Sequence, residues 1–184
     1  KDGTLCIPTA FCSYDGSTLD KKTPLLRSMA ELDKQSRRLL KLFGKDVKKV
    51  TSTVGAEQEY FLIDKNLYQK RKDLIFFNIT LFGAKPPKGQ ELEDHYYGAI
   101  KPRIVNFMKD LDEQLWKLGI PSKTKHNEVA PCQHEMAPVF TTTNLSADQN
   151  QLTMEIMKKV AQEHDMICIL HEKPFDGLNG SGKH

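Results

Sequence analysis

Gly55-Ala56-Glu57-Gln58-Glu59-Tyr60-Phe61 is the stretch on which the fold turns. It lies within Val50 to Ile63, where Val54, Tyr60, Phe61, Leu62 and Ile63 supply the β-branched and aromatic content of a strand. Side chains of a strand alternate faces with a rise of ~3.3 Å per residue, so Glu57 and Glu59 point the same way with Cα atoms about 6.6 Å apart. Such a pair can hold neighbouring cations. The ordinary alternative for an isolated E-x-E is a solvent-facing polar stripe on an edge strand.

Outward from this strand the pattern alternates between helix and sheet. Thr23 before Pro24 marks a helix start, and Leu25, Leu26, Met29, Leu32, Leu39, Leu40 and Phe43 recur at helical spacing until Gly44, which predicts a helix over 24–43. Residues 1–20 read as loop with room for one strand, and Leu74 to Phe77 as a short strand. Residues 83–89 form a Gly- and Pro-rich loop. A long helix is expected from about Glu91 to Leu118, carrying Ile100, Ile104, Phe107, Met108, Leu111, Leu115 and Trp116, with Pro102 bending it or marking its true start and Gly119 ending it. Strands follow over 122–130 and 133–141, then a helix over roughly 147–165 capped by Ser146, and a buried strand from Met166 to Leu170.

A second acidic pair flanks a Pro131-centred turn in Asn127-Glu128-Val129-Ala130-Pro131-Cys132-Gln133-His134-Glu135. Consecutive strands would bring Glu128 and Glu135 to one place among apolar neighbours, where carboxylates are costly unless paired or metal-bound. The third segment, Gly177-Leu178-Asn179-Gly180-Ser181-Gly182-Lys183-His184, satisfies G-x-x-x-x-G-K. It has His where a phosphate-binding P-loop needs Ser or Thr on magnesium, and Glu172 to Asp176 intervene after the preceding strand. Read instead as N-G-S-G-x-H, it lets backbone approach a ligand and offers the Asn179 amide and the His184 imidazole. Glutamates with a histidine are hard, oxygen-rich donors suited to divalent cations that also grip phosphate. His126, His134 and His171 read as hydrogen-bonded packing residues rather than ligands.

Composition narrows the function classes. With 184 residues and 39% hydrophobic content the chain can bury a substantial core, so it is read as one domain or the larger part of one. Its 27 Lys+Arg are interspersed among 24 Asp+Glu for a net charge of +3, which leaves no basic stripe for nucleic acid. Four cysteines without C-x-x-C pairing speak for reduced thiols and against structural zinc. No apolar run approaches the ~20 residues that cross a bilayer, so a soluble, cytoplasmic protein without membrane partners is expected. The start at Lys1 and the end at His184 within a functional loop read as a chain cut at both ends.

E-Q-E-Y-F, N-E-V-A-P-x-Q-H-E and K-P-x-x-G-x-N-G-S-G-K-H together resemble the successive signatures of glutamine synthetase, in that family's order. Lys22 to Arg27, Gly83 to Asp94 and His171 to Phe175 are most similar to its type III branch. The resemblance implies an α/β (α+β) catalytic domain with a curved, mainly antiparallel sheet flanked by helices. It places an irregular linker at 1–23 and the N-terminal and central part of the catalytic domain at 24–184. It implies ATP-dependent joining of ammonia to L-glutamate through γ-glutamyl phosphate, with two Mg²⁺ or Mn²⁺ ions per site and ATP as co-substrate. Glu59, Glu128 and Glu135 would hold one ion, and Glu57 and His184 the other. Asn179 and Gly180 would bind glutamate, while Gln133 and His134 would support the ligands. No residue of this stretch is assigned as general base, and the stretch alone is expected to be inactive. A homo-oligomeric ring with a domain donated by a neighbouring subunit is a further implication. Cys132 stands where relatives tend to have Ala or Gly, which should crowd the turn slightly. Two competing readings are a ligase joining glutamate to a larger amine and a non-catalytic metal- or nucleotide-binding module.

Overall fold

The computed structural model describes residues 3–184; Lys1 and Asp2, the first residues of the expected linker, lie outside the described residues. In chain order the elements are α1 (Lys22–Leu42), β1 (Thr53–Val54), β2 (Gln58–Asp64), α2 (Lys65–Tyr68), α3 (Lys72–Phe77), α4 (Asp94–Tyr97), α5 (Pro102–Lys117), β3 (Ser122–Asn127), β4 (Gln133–Pro138), β5 (Thr141–Thr142), α6 (Thr143–Glu163) and β6 (Met166–Ile169), with a 3-10 turn at Glu91–Glu93. The described residues divide into two compact units, 3–54 with 140–148, and 55–139 with 149–184.

In the first unit, the Asp20 carboxylate accepts the Thr23 N–H at 2.9 Å where α1 begins. Gly44 closes that helix with φ +72°, a conformation in which a side chain is strained. β1 and β5 pair antiparallel, and the Thr143 hydroxyl donates to Ser52 Oγ at 2.8 Å. That contact starts α6 at Thr143, so Ser146 lies inside the helix rather than capping it.

The second unit is built on a four-stranded antiparallel sheet in the order β3-β4-β2-β6. Directly paired residues share a face, and the register Glu59↔Glu135, Tyr60↔His134 and Phe61↔Gln133 therefore sorts the side chains. Tyr60 and Leu62 face the major core with Met136, Met166 and Cys168, closed by Phe107, Met108, Leu111 and Leu115 of α5 and Met157 and Val160 of α6. Phe61 and Ile169 face the opposite way, into a smaller cluster with Leu74, Ala130 and Phe175. The mixed α/β class with antiparallel pairing is the one expected from the sequence.

Pro102 marks the true start of α5. Left-handed Leu92 and Glu93 interrupt the run before it, and the residue before a proline disfavours helix. Leu74 to Phe77, expected as a strand, is helical instead. Asp73 accepts the N–H groups of Leu74 and Leu81, each at 3.0 Å, and Asn78 ends the turn with φ +57°. These local hydrogen bonds outweigh the β-propensity of Ile75, Phe76 and Phe77, which among the described residues have no neighbouring strand to pair with. Among the described residues no helix is long and apolar enough to cross a membrane.

Candidate functional site

β2 and β4 run side by side so that Glu59 and Glu135 are cross-strand partners, and β3 adds His126 opposite Glu135. The three side chains therefore share the sheet face away from the α5–α6 core. Glu128 follows directly after β3, and its N–H donates to the Gln133 carbonyl at 2.9 Å, closing the Pro131 turn that returns the chain into β4. Cys132 occupies that turn with φ +62°, a backbone that favours glycine, and it is an exposed free thiol.

The glycine-rich segment completes the cluster by lying along β2. Glu57 and His184 exchange both backbone hydrogen bonds at 3.1 Å, and Glu59 N–H donates to the Gly182 carbonyl at 3.1 Å. Gly182 N–H donates to Glu59 Oε2 at 2.5 Å and Ser181 N–H to the Glu172 carbonyl at 2.9 Å. These amides are consumed by protein acceptors in an extended segment, whereas a P-loop leaves its N–H groups pointing at phosphate. The G-x-x-x-x-G-K match therefore does not describe this segment's geometry.

Donor atoms of Glu57, Glu135 and His184 all lie within 4.8 Å of one another, and so do those of His126, Glu128 and Glu135. Glu135 is common to both groups. Glu59 belongs to neither, since one of its oxygens takes the Gly182 N–H while the other stands 3.5 Å from His184 Nδ1. Four of the five expected donors thus fall into two groups that share the Glu135 carboxylate, and Glu59 lies beside His184 outside both. His126, expected as a packing residue, lies 3.0 Å from Glu135 Oε1 and 3.6 Å from Glu128 Oε1. The H-x-E spacing of His126 and Glu128, one near the end of β3 and one just past it, is the signal for it in the sequence.

The electrostatics are those of a site lacking positive charge. Burial raises the Glu128 carboxyl above the ordinary glutamate range, and the charges of Glu135 and Glu59 raise it further against the opposing pull of His126. Burial likewise raises Glu135, with Glu57 and Glu59 adding to the shift. His126 is raised in turn: its burial works against the charged form, but the Asn127 carbonyl, Glu135 and Glu128 together outweigh that cost. Oxygen donors in excess, with one imidazole in each group, fit a hard divalent cation by donor type and by charge.

Asn179 and Gly180 are held beside the cluster. The Asn179 N–H donates to Gln90 Oε1 at 2.5 Å, and its amide group donates to Gln133 Oε1 at 3.4 Å. Gln133, fully buried, donates to the Gly180 carbonyl at 2.8 Å. His134 lies on the other sheet face, donating from Nδ1 to Asn127 Oδ1 at 2.9 Å, and its burial lowers its pKa to about 3. Gln133 therefore braces the glycine loop while His134 braces the β3–β4 pairing.

Fold and donor set define a class: a mixed α/β domain whose antiparallel sheet carries a carboxylate cluster on one face. Residues 34–184 match the family described as the glutamine synthetase catalytic domain, and residues 1–28 match the type III N-terminal region of glutamine synthetase. The chain belongs to the glutamine synthetase family, in its type III branch. A glutamine synthetase of Butyrivibrio fibrisolvens is 62% identical over 100% of this chain and 26% of its own length. The type-3 glutamine synthetase of Dictyostelium discoideum is 52% identical over 98% of this chain and 25% of its own. The chain thus spans about a quarter of the length of these relatives. Among solved structures, a Plasmodium falciparum glutamine synthetase aligns with a TM-score of 0.57 at 19% identity, over 93% of this chain and 34% of that one, a likeness of fold.

Proposed function

We propose that this chain is the metal-bearing part of an ATP-dependent ligase that forms L-glutamine from L-glutamate and ammonia. The observation that carries the reading is the crowding of Glu57, Glu59, Glu128 and Glu135 on one sheet face, where burial and mutual repulsion raise Glu128 and Glu135. A cluster of that kind costs stability unless cations neutralise it.

Two divalent cations, when bound, would draw charge from the ATP phosphates and orient the γ-phosphoryl group. Glu59, Glu128 and Glu135 would hold one and Glu57 with His184 the other, Glu135 being near enough to both groups to bridge them. Asn179 and Gly180, fixed by Gln133, would position the amino acid so that its γ-carboxylate oxygen attacks the terminal phosphorus. The bond from that phosphorus to the bridging oxygen of ATP breaks, releasing ADP and leaving γ-glutamyl phosphate. Ammonia then attacks the acyl carbon, phosphate departs with the C–O bonding pair, and the extra proton on nitrogen passes to a base that none of the residues assigned above supplies. Gln133 and His134 keep the ligands in place through their hydrogen bonds. The working form would be a homo-oligomeric ring in the cytoplasm.

The test is Mn²⁺ calorimetry on the intact protein and on its Glu128→Ala/Glu135→Ala variant, each followed by glutamine formation from ATP, glutamate and ammonia. The ligase reading expects both a metal site and turnover to vanish in the variant. Unchanged metal binding would make these glutamates surface residues and defeat it.

A further inference from the structure

The four-stranded sheet has a second concavity. On the face of Tyr60 and Leu62, away from Glu59 and Glu135, lies a cavity of about 530 Å³. Small-molecule sites have volumes of about 300–1,000 Å³, an apolar lining and a few fixed polar groups. Leu62, Ile104 and Met166 supply the apolar lining here.

Two polar features of the lining are independent of each other. The first is cationic. The 16-residue helix α5 begins at this cavity with no side-chain cap, Pro102 has no N–H, and the Ile104 and Val105 N–H groups both turn back to the Lys101 carbonyl at 2.9 and 3.0 Å. The positive end of the helix dipole is therefore left to the Arg103 N–H and whatever anion approaches it. Arg103 is already paired with Asp64 at 2.8 Å, and Lys88 with Asp94, whereas Lys101 makes no ion pair among the described residues. These pairings leave the Lys101 charge uncompensated.

The second feature is an acceptor on a mostly buried side chain. The Asn127 amide donates to the carbonyls of His95 and Gly98 at 3.2 and 3.1 Å, so its Oδ1 must accept from His134 Nδ1. With the proton on Nδ1, His134 presents a lone pair at Nε2, which has no partner among the described residues although the side chain is only 3% exposed. A lining histidine with one nitrogen used and the other free can accept a hydrogen bond from a ligand donor. Lys101 and the helix end, by contrast, require an anion.

We propose that this cavity is a ligand site for a small organic monocarboxylate carrying a hydroxyl donor on an apolar body. The carboxylate meets Lys101 and the N-terminus of α5, the hydroxyl donates to His134 Nε2, and the body covers Leu62, Ile104 and Met166. The site lies on the opposite sheet face from the carboxylate cluster, so it stands or falls independently of the ligase reading.

The experiment is saturation-transfer NMR on the intact protein with 3-hydroxybenzoate as probe, beside benzoate, 3-hydroxybenzyl alcohol and phenyl phosphate. Binding of 3-hydroxybenzoate is expected, about fivefold or more weakened for benzoate and for the alcohol. It should fall about tenfold in Lys101→Met and vanish in Ala99→Trp, which fills the cavity from its lining. Replacing His134 would also remove its bond to Asn127, so the benzoate comparison reads that contact instead. No transfer at millimolar probe, equal transfer from benzoate, unchanged binding in Lys101→Met, or tighter binding of phenyl phosphate would each overturn the proposal.

Discussion

Gly182 gives its N–H to the Glu59 carboxylate at 2.5 Å, and a Cβ on Gly182 would stand 2.8 Å from His184 Nε2 and 3.4 Å from Glu59 Oε2. One residue without a side chain thus sets the spacing between two donors of the cluster. The atom it would strike is the tip of a largely exposed imidazole, which can swing away. Gly182→Ala should therefore leave the melting temperature within a degree or two while weakening Mn²⁺ binding about tenfold, as calorimetry would read. Gly180→Ala is the contrast. Its Cβ would lie 2.6 Å from the backbone carbonyl of Glu172, which cannot yield, so a loss of about 1–3 kcal/mol is expected on thermal unfolding.

Neutralising one glutamate should trade binding for stability. Glu128 is buried, and Glu135 and Glu59 both disfavour its charge. Glu128→Gln removes that repulsion at nearly constant volume. In chelator the variant is expected to be more stable than the parent by about 1 kcal/mol, while losing most of the stabilisation that Mn²⁺ gives the parent. Equal Mn²⁺-induced shifts in both proteins would contradict it.

The pH dependence has a determined sign. Glu128 and Glu135 have raised pKa values in the folded protein, so the folded state binds more protons than the unfolded chain between the ordinary glutamate value near 4.5 and the raised ones. Their contribution to metal-free stability is full below that ordinary value and is lost as pH rises through the folded values. His126, raised from 6.5, acts in the same direction at higher pH. The Mn²⁺-induced rise in melting temperature should accordingly be larger at pH 7.5 than at pH 5. A shift that is flat across that range would argue that these carboxylates do not meet the cation.

Tyr60 tests the sorting of faces. Its ring is fully buried in the α5–α6 core and its hydroxyl has no hydrogen-bond partner among the described residues. Tyr60→Phe removes an unsatisfied buried group and should be neutral or stabilising by up to about 1–3 kcal/mol, with Mn²⁺ affinity unchanged because the residue points away from the cluster. A tenfold loss of affinity would place Tyr60 on the wrong face.

Much of this architecture was legible in one dimension. The β-branched and aromatic content around Tyr60 to Ile63, the helical spacing from Ile104 to Leu115, and the stops at Gly44 and Gly119 are local consequences of backbone and side-chain chemistry, and they reappear as β2, α5 and the helix ends. The misreading of Leu74 to Phe77 has a local cause too. Asp73, which accepts the Leu74 and Leu81 N–H groups, and left-handed Asn78 shape this turn through residues at its own two ends. The start of α6 is different, because the Ser52 contact that sets it comes from residues far away in the chain.

By itself, then, the sequence determined which residues can serve as hard donors, which segments form the four-stranded sheet, and the order of the three motifs that mark the family. It could do so because alternation, capping and donor type are properties of neighbouring residues. Only the tertiary structure decided how the donors group. The register Glu59↔Glu135 and His126↔Glu135 makes Glu135 common to two clusters, brings in a histidine that reads locally as a packing residue, and turns His134 to the opposite face. A shift of one residue in that pairing would reverse every one of these placements, and register is set by contacts between strands that lie far apart in the chain.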